Sequence, residues 1–78
     1  MKKRDQPDIR ERFGFAVKLR REELDMTQED LAEKARLHRT YISDIERGAR
    51  NVALINVEHL AHALDLQISE LFQLVERS

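Results

Sequence analysis

Glycine and proline are scarce in this chain of 78 residues, which contains only Gly14, Gly48 and Pro7. These two residue types supply most of the tight turns between strands, so the sequence does not favour a β-sheet. With 37% charged and 41% hydrophobic residues, the composition is typical of helices with charged outer faces. We therefore predict an all-α fold.

The absence of cysteine excludes a disulfide scaffold, a thiolate zinc site and a thiol nucleophile. Small cores without disulfides or metals often depend on a second subunit. No apolar run approaches the ~18–20 residues that a membrane span needs, and the basic residues at positions 2–4 are not followed by the apolar stretch of a signal peptide. We expect a cytoplasmic protein with no membrane partner.

Apolar residues return at helical spacing after Pro7 and predict five helices. Residues 1–7 are expected to form a flexible tail and residues 8–78 a single domain. The inward-facing residues should be Phe13, Ala16, Val17 and Leu24 on the first helix, Leu31, Ala32 and Ala35 on the second, Ile42 and Ile45 on the third, and Val57, Leu60, Ala61 and Leu64 on the fourth.

Two of the predicted helices are short and separated by only about three or four residues. Thr27 can cap the second helix, expected over Gln28–Ala35, because its hydroxyl accepts from free backbone N–H groups and acidic residues follow in the first turn. The third helix should begin at residues 38–40 and end at Gly48. Two short helices joined by a tight turn form a helix-turn-helix, here at about residues 28–47.

The fifth helix, expected over about residues 68–75, has an apolar set too wide for one buried stripe. The fourth helix is expected over about residues 54–64. Part of the set on the fifth helix should lie outside the monomer core, and we predict that it forms a homodimer. The set consists of Ile68, Leu71, Phe72, Leu74 and Val75.

Charge is distributed unevenly along the chain, although the net charge is only −1. Residues 1–21 carry a charge of +5, residues 22–33 of −6, residues 34–50 of +3 and residues 51–78 of −3. Such blocks can place a basic face on a molecule that is acidic elsewhere, and affinity for phosphates depends on the face. A solvated surface of mixed charge is the alternative.

Catalytic and metal-binding patterns are weak in this sequence. His59 and His62 are three positions apart on a helix, but a pair binds metal only if a third ligand converges on it. With two glycines, neither a phosphate-binding loop nor a nucleophile elbow can be built. We expect no enzyme, no metal, no cofactor and no small-molecule ligand.

The third helix presents one outward polar stripe if Ile42 and Ile45 point inward. Small polar side chains flanked by arginines suit a helix in the DNA major groove, because the backbone can approach and arginine can make a forked contact with guanine. An ordinary exposed polar face is the alternative. The residues expected to read bases are Arg39, Thr40, Ser43, Asp44 and Arg47, and Arg36 and Arg50 lie where phosphates would pass.

Gln28 stands at the first turn of the second helix, where free N–H groups favour a phosphate. Arg21 and Glu46 each lie beside the inward face of their helices. An internal ion pair between them would fix the pose of the third helix, and removal of one partner would strand a buried charge.

Several motifs together resemble the Cro/repressor-type (Xre-like) helix-turn-helix family. They are Phe13-Gly14, Val17, Arg21, Met26-Thr27-Gln28-Glu29-Asp30-Leu31-Ala32, His38 through Gly48, Leu60 through Leu64, and Leu71-Phe72. The resemblance covers nearly the whole chain and implies a five-helix domain of the phage-repressor type that binds DNA as a dimer and regulates transcription.

A narrower likeness to the controller proteins of restriction–modification systems is carried by residues 37–43 and 46–52. It implies base-reading roles for Arg39 and Thr40, phosphate or groove positions for Gln28, Ser43, Arg47 and Asn51, and a dimer formed by the fifth helix. Thr27 and Tyr41 are also expected to contact phosphates. The chain departs from the family pattern where glycine is common, with Asp25, Arg36 and Asp65 instead. The turn of the motif is expected to be strained or differently shaped there.

The sequence thus predicts a homodimeric DNA-binding regulator of a pseudo-palindromic operator, with autoregulation implied by the resemblance. At a promoter it would either block RNA polymerase or contact it from an adjacent site. The alternative is a protein-interaction module, such as an antitoxin, that keeps the fold and uses the fifth helix and the acidic residues 22–33.

Overall fold

The computed structural model describes residues 7–77, and in that part of the chain it contains five α-helices and no strand. The helices are α1 (Ile9–Glu23), α2 (Gln28–Ala35), α3 (Arg39–Glu46), α4 (Leu54–Ala63) and α5 (Ile68–Arg77). The predicted all-α fold and its helix-turn-helix, formed by α2 and α3, are confirmed. Apart from Pro7, the tail predicted for residues 1–7 lies outside the described residues.

One core collects the inner faces of all five helices. The inward residues predicted for α2, α3 and α4 are all buried, as are Phe13, Ala16 and Val17 of α1. Leu24 is only half-buried, because it lies at the end of α1 and packs against the edge of the core. The inner face of α3, which consists of Ile42 and Ile45, therefore points into the protein.

Side-chain caps fix where the first two helices begin. Asp8 accepts a hydrogen bond from the backbone N–H of Arg10 at 2.7 Å. At α2, the Thr27 hydroxyl accepts from the Asp30 N–H at 3.0 Å, and the Asp30 carboxylate accepts from the Thr27 N–H at 2.9 Å. This reciprocal pair confirms Thr27 as the cap and extends it to a full capping box.

Three helices end in a left-handed residue that is not glycine. The φ angles are 58° at Asp25, 60° at Arg36 and 61° at Asp65. Beyond Arg36, the Leu37 N–H donates back to the Ala32 carbonyl at 2.9 Å, which is the hydrogen bond of a Schellman motif. The turn between α2 and α3 thus has the conformation that glycine would adopt, with arginine in its place.

Gly14 allows α1 and α3 to approach each other closely. A Cβ atom at Gly14 would lie 2.1 Å from the backbone oxygen of Ile45 and 2.9 Å from that of Glu46. Real Cβ atoms do not come this close to a backbone oxygen, so only glycine fits without moving a helix. The C-terminal half of α3 is therefore held directly against the backbone of α1.

The apolar face of α5 is largely used inside the monomer, which corrects part of the predicted dimer surface. Leu71 and Val75 are completely buried, because α5 packs against α1 and α4. Phe72 is half-buried, with its ring centroid 5.8 Å from that of Phe13. Ile68 is 39% exposed, and Leu74 is half-buried. Leu71 and Val75 therefore cannot serve as subunit contacts of this fold.

Candidate nucleic-acid interface

The predicted stripe of α3 lies on the side opposite the buried residues Ile42 and Ile45. Arg39 and Thr40 are exposed at its first turn, and Arg47 is exposed at its C-terminal cap. Ser43 and Asp44 are half-buried between them. The structure therefore brings the five predicted base-reading residues onto one outward surface.

Behind this surface, Arg21 and Glu46 form the ion pair that their positions suggest. Arg21 donates to the Glu46 carboxylate from Nε at 2.7 Å and from Nη2 at 3.0 Å, and the two side chains are 10% and 4% exposed. The third guanidinium nitrogen of Arg21, Nη1, donates to the Met26 carbonyl at 2.7 Å. The hydrogen bonds from Arg21 to Glu46 raise the pKa of the guanidinium above its ordinary value.

Gln28 joins the same network, a contact that the sequence did not suggest. Its Nε2 donates to Oε1 of Glu46 at 3.0 Å. The carboxamide NH2 group of Gln28 thus points into the protein, toward Glu46. One carboxylate, Glu46 of α3, therefore links α1 through Arg21 and α2 through Gln28.

A second charged cluster lies at the C-terminal end of α3. Asp44 pairs with Arg47 through Oδ1 and with Arg50 through Oδ2, the latter at 3.2 Å. The Arg50 guanidinium carbon also lies 5.1 Å from the centroid of the Tyr41 ring, within the range of a cation–π contact. Asn56 of α4 donates to the Tyr41 hydroxyl at 3.3 Å. We call Tyr41, Asp44, Arg47 and Arg50 the Asp44 cluster.

The residues predicted to contact phosphates surround the stripe but differ in how they are held. Arg36 and Asn51 are exposed, and Thr27 is exposed while its hydroxyl serves as the α2 cap. Thr27, Gln28 and Arg39 line one open depression in the surface. The start of α2 and the start of α3 thus share a surface. Arg50, in contrast, lies beyond the C-terminal end of α3, in the Asp44 cluster with Tyr41.

Leu54 and Ile55 are exposed apolar residues that sequence reasoning missed. They are 79% and 62% exposed at the first turn of α4. The signal was present in the sequence, because two consecutive apolar residues precede the inward set that starts at Val57. Their apolar surface is therefore available for a contact with another molecule.

Neither a metal site nor a membrane span is found in the part of the chain that the structure describes. No group of three His, Asp or Glu side chains within residues 7–77 could hold a metal ion. None of the five helices is both long enough and apolar enough to cross a bilayer.

Two short packed helices, with an exposed polar stripe on the second and a buried ion pair behind it, define a helix-turn-helix protein. The chain belongs to the helix-turn-helix family: the family model matches residues 17–71, from the middle of α1 into α5. The family resemblance found in the sequence is confirmed.

The chain is similar to controller proteins along most of its length. It is 46% identical over 71 residues to the control protein C.MunI from Mycoplasma sp, covering 90% of this chain and 96% of that protein. It is 51% identical over 65 residues to the control protein C.BamHI from Bacillus amyloliquefaciens, covering 82% of this chain and 80% of that protein. The narrower resemblance to restriction–modification control proteins is therefore confirmed as well.

A solved structure shows a similar protein on DNA. The restriction–modification controller protein C.Esp1396I, as a tetramer in complex with its natural 35 base-pair operator, matches with a TM-score of 0.85 at 36% sequence identity. The match covers 92% of this chain and 95% of that chain. The likeness thus extends over all five helices and the candidate interface.

Proposed function

We propose that this protein is a transcriptional regulator that binds double-stranded DNA as a homodimer on a pseudo-palindromic operator. In this proposal it acts in the cytoplasm and controls restriction–modification genes, its own gene included. The observation that carries the proposal is the outward stripe of α3, whose inner face is fully buried. Thr40 and Ser43 are small enough to let the helix backbone approach base edges, and Arg39 can reach guanine O6 and N7.

In this proposal the residues of the interface divide into two groups by their chemistry. Those on the stripe of α3 read bases, with Arg39 and Thr40 contributing most. Those around it bind phosphates and set the orientation of the protein. The base-reading group is Arg39, Thr40, Ser43, Asp44 and Arg47, and the phosphate group is Thr27, Gln28, Arg36, Tyr41, Arg50 and Asn51.

Dimerisation follows from the geometry of the major groove. One α3 helix covers only a few base pairs, and a two-fold dimer places two copies in successive grooves about 34 Å apart. Apolar residues of α4 and α5 that keep part of their surface in solvent supply the contact. These are Ile68, Phe72 and Leu74 on α5, together with Leu54 and Ile55 on α4.

Selection of bound duplexes from a randomised pool tests the proposal. We expect a two-fold symmetric motif that binds at least about 10³ times more tightly than random DNA at physiological salt. Arg39→Ala should relax the preference at one base position by about 1–3 kcal/mol. The control is Lys18→Ala, which removes an exposed charge of the same sign on α1 and should lower affinity for all duplexes equally, if at all.

A second candidate function is a protein-interaction module with a helix-turn-helix fold. Its supporting observation is that all six acidic residues between positions 22 and 33 are exposed, from the end of α1 through the turn and along α2. Weak, motif-free DNA binding that vanishes by physiological salt would favour this candidate. A symmetric motif would favour the regulator.

A further inference from the structure

Asp44 is the one acidic residue among the five of the α3 stripe that is proposed to meet DNA. A carboxylate repels phosphates, and it finds no donor on the guanine edge of the major groove. It lies on the stripe between Thr40 and Arg47, with its side chain 18% exposed. A residue placed there must either be neutralised by the protein or select against part of the DNA that the protein meets.

The Asp44 cluster shows how the carboxylate is neutralised. Arg47 donates from Nη2 to Oδ1, and Arg50 donates from Nε to Oδ2 at 3.2 Å, so each oxygen serves a different arginine. The same two hydrogen bonds lower the pKa of Asp44, which is therefore ionised at neutral pH. Two positive charges are thus offset by one negative charge inside the free protein.

Arg50 is held from two sides. Asp44 binds its Nε, and the Tyr41 ring lies 5.1 Å from the guanidinium carbon. Tyr41 is itself fixed to α4 by the hydrogen bond from Asn56. The loop between α3 and α4 is thereby attached to the outward face of α3, and Asp44 is the group in this attachment that opposes DNA electrostatically.

We propose that Asp44 is a specificity-determining residue that acts as the internal counterion of Arg47 and Arg50 and lowers affinity for non-operator DNA more than for the operator. The inference rests on the proposed function. Non-specific binding comes from phosphate contacts that release counterions. An arginine that is already paired with Asp44 must exchange a carboxylate for a phosphate, so it adds less to this term than a free arginine would.

The operator compensates for this exchange, whereas random DNA does not. Asp44 itself can accept a hydrogen bond from a cytosine amino group in the major groove. The penalty imposed by the carboxylate therefore falls mainly on sequences that offer only phosphates.

The test compares the full-length wild-type chain with Asp44→Asn. Fluorescence anisotropy measures binding to the duplex selected from the random pool and to a random duplex of the same length, between about 50 and 200 mM salt. Asp44→Asn should bind the random duplex about tenfold more tightly and the selected duplex less than about threefold more tightly. For the random duplex, the slope of log K against log salt should steepen by about 1.

Glu58→Gln is the matched control, because Glu58 is an exposed carboxylate on α4 outside the Asp44 cluster. It makes the same change in net charge and should alter both affinities equally, by less than about twofold. A second series repeats Asp44→Asn in an Arg50→Gln background. The gain for random DNA should be smaller there, since one of the two arginines through which Asp44 acts is absent.

Several results would overturn the inference. Asp44→Asn could raise the affinity for random DNA no more than Glu58→Gln does, or its effect could be undiminished in the Arg50→Gln background. It could also weaken binding to both duplexes with an unchanged melting temperature. Asp44 would then hold Arg47 and Arg50 in position for DNA binding and would not oppose it. A wild type that prefers no sequence would refute the proposed function too, whereas a wild type with a motif and an unchanged preference in Asp44→Asn refutes this inference alone.

Discussion

Glu46→Ala is predicted to destabilise the protein more than any substitution on the outer face of α3. The Glu46 carboxylate accepts three hydrogen bonds, two from Arg21 and one from Gln28, at 2.7, 3.0 and 3.0 Å. Alanine removes all three. The Arg21 guanidinium keeps the Met26 carbonyl at 2.7 Å, and the exposed carboxylate of Glu22 lies 4.0 Å away.

The magnitude follows from the burial of Arg21. Removing one partner of a buried ion pair costs about 3–5 kcal/mol, because the other charge is left without compensation. We expect a value near the lower limit, since Met26 and Glu22 still offer acceptors. About 3 kcal/mol corresponds to a fall of roughly 12–24 °C in melting temperature for a domain of this size. It is also a large fraction of the ~5–15 kcal/mol that stabilises a small protein.

Far-UV circular dichroism with thermal and urea denaturation measures this loss. The informative partner variant is Arg21→Met/Glu46→Leu, which removes both charges and restores apolar volume. It should melt well above Glu46→Ala, because no charge is stranded. A melting temperature for Glu46→Ala within about 4 °C of wild type would refute the stranded-charge argument. So would a double variant that is as unstable as Glu46→Ala.

Three further substitutions test the fold. Gly14→Ala should lower the free energy of unfolding by at least about 2 kcal/mol, because its Cβ would meet the Ile45 backbone oxygen; wild-type melting would contradict the close approach of α1 and α3. Arg36→Gly should raise the free energy of unfolding by up to about 1 kcal/mol in urea denaturation, since a left-handed arginine is strained. It should also weaken DNA binding. A lower free energy of unfolding would refute the strain. Hydrogen bonds from Thr27 lower the pKa of Asp30, so the contribution of Asp30 is present above its unfolded pKa and is lost as the pH falls through its folded pKa. Asp30→Asn should therefore reduce the loss of stability as the pH falls below the unfolded pKa of Asp30. Urea denaturation that shows the same loss in Asp30→Asn as in the wild type would contradict this.

The helices could be predicted because their signals are local. Thr27 followed by acidic residues defines the start of α2, and the spacing of Leu31, Ala32 and Ala35 defines its inner face. The position of Arg21 beside the inner face of α1 sufficed to suggest a partner on α3. The cap and the inner face need only neighbours within one or two helical turns, whereas the ion pair was suggested because Arg21 and Glu46 each lie beside the inner face of their helix.

The fate of the α5 face could not be predicted, because it depends on which helices lie beside it. A wide set of apolar residues indicates burial, but it does not show which of them enter the core and which contact another subunit. Leu71 and Val75 turned out to be core residues, and Leu54 and Ile55 were left exposed instead. The Asp44–Arg50 ion pair could not be predicted either, since Arg50 lies in a loop where no periodicity shows the direction of a side chain.

Both glycines of the chain lie where α1 meets the C-terminal end of α3. Gly14 faces the backbone of Ile45, and a Cβ at Gly48 would lie 2.9 Å from the Cα of Glu11. Elsewhere, the left-handed positions that favour glycine are filled by aspartate and arginine, whose strain the returning backbone hydrogen bonds offset. Glycine is therefore needed where a Cβ atom would clash with a neighbouring helix, because a backbone hydrogen bond cannot relieve such a clash. The pose of the proposed DNA-reading helix is accordingly set from α1, by this contact and by Arg21, at residues that lie behind the proposed DNA surface.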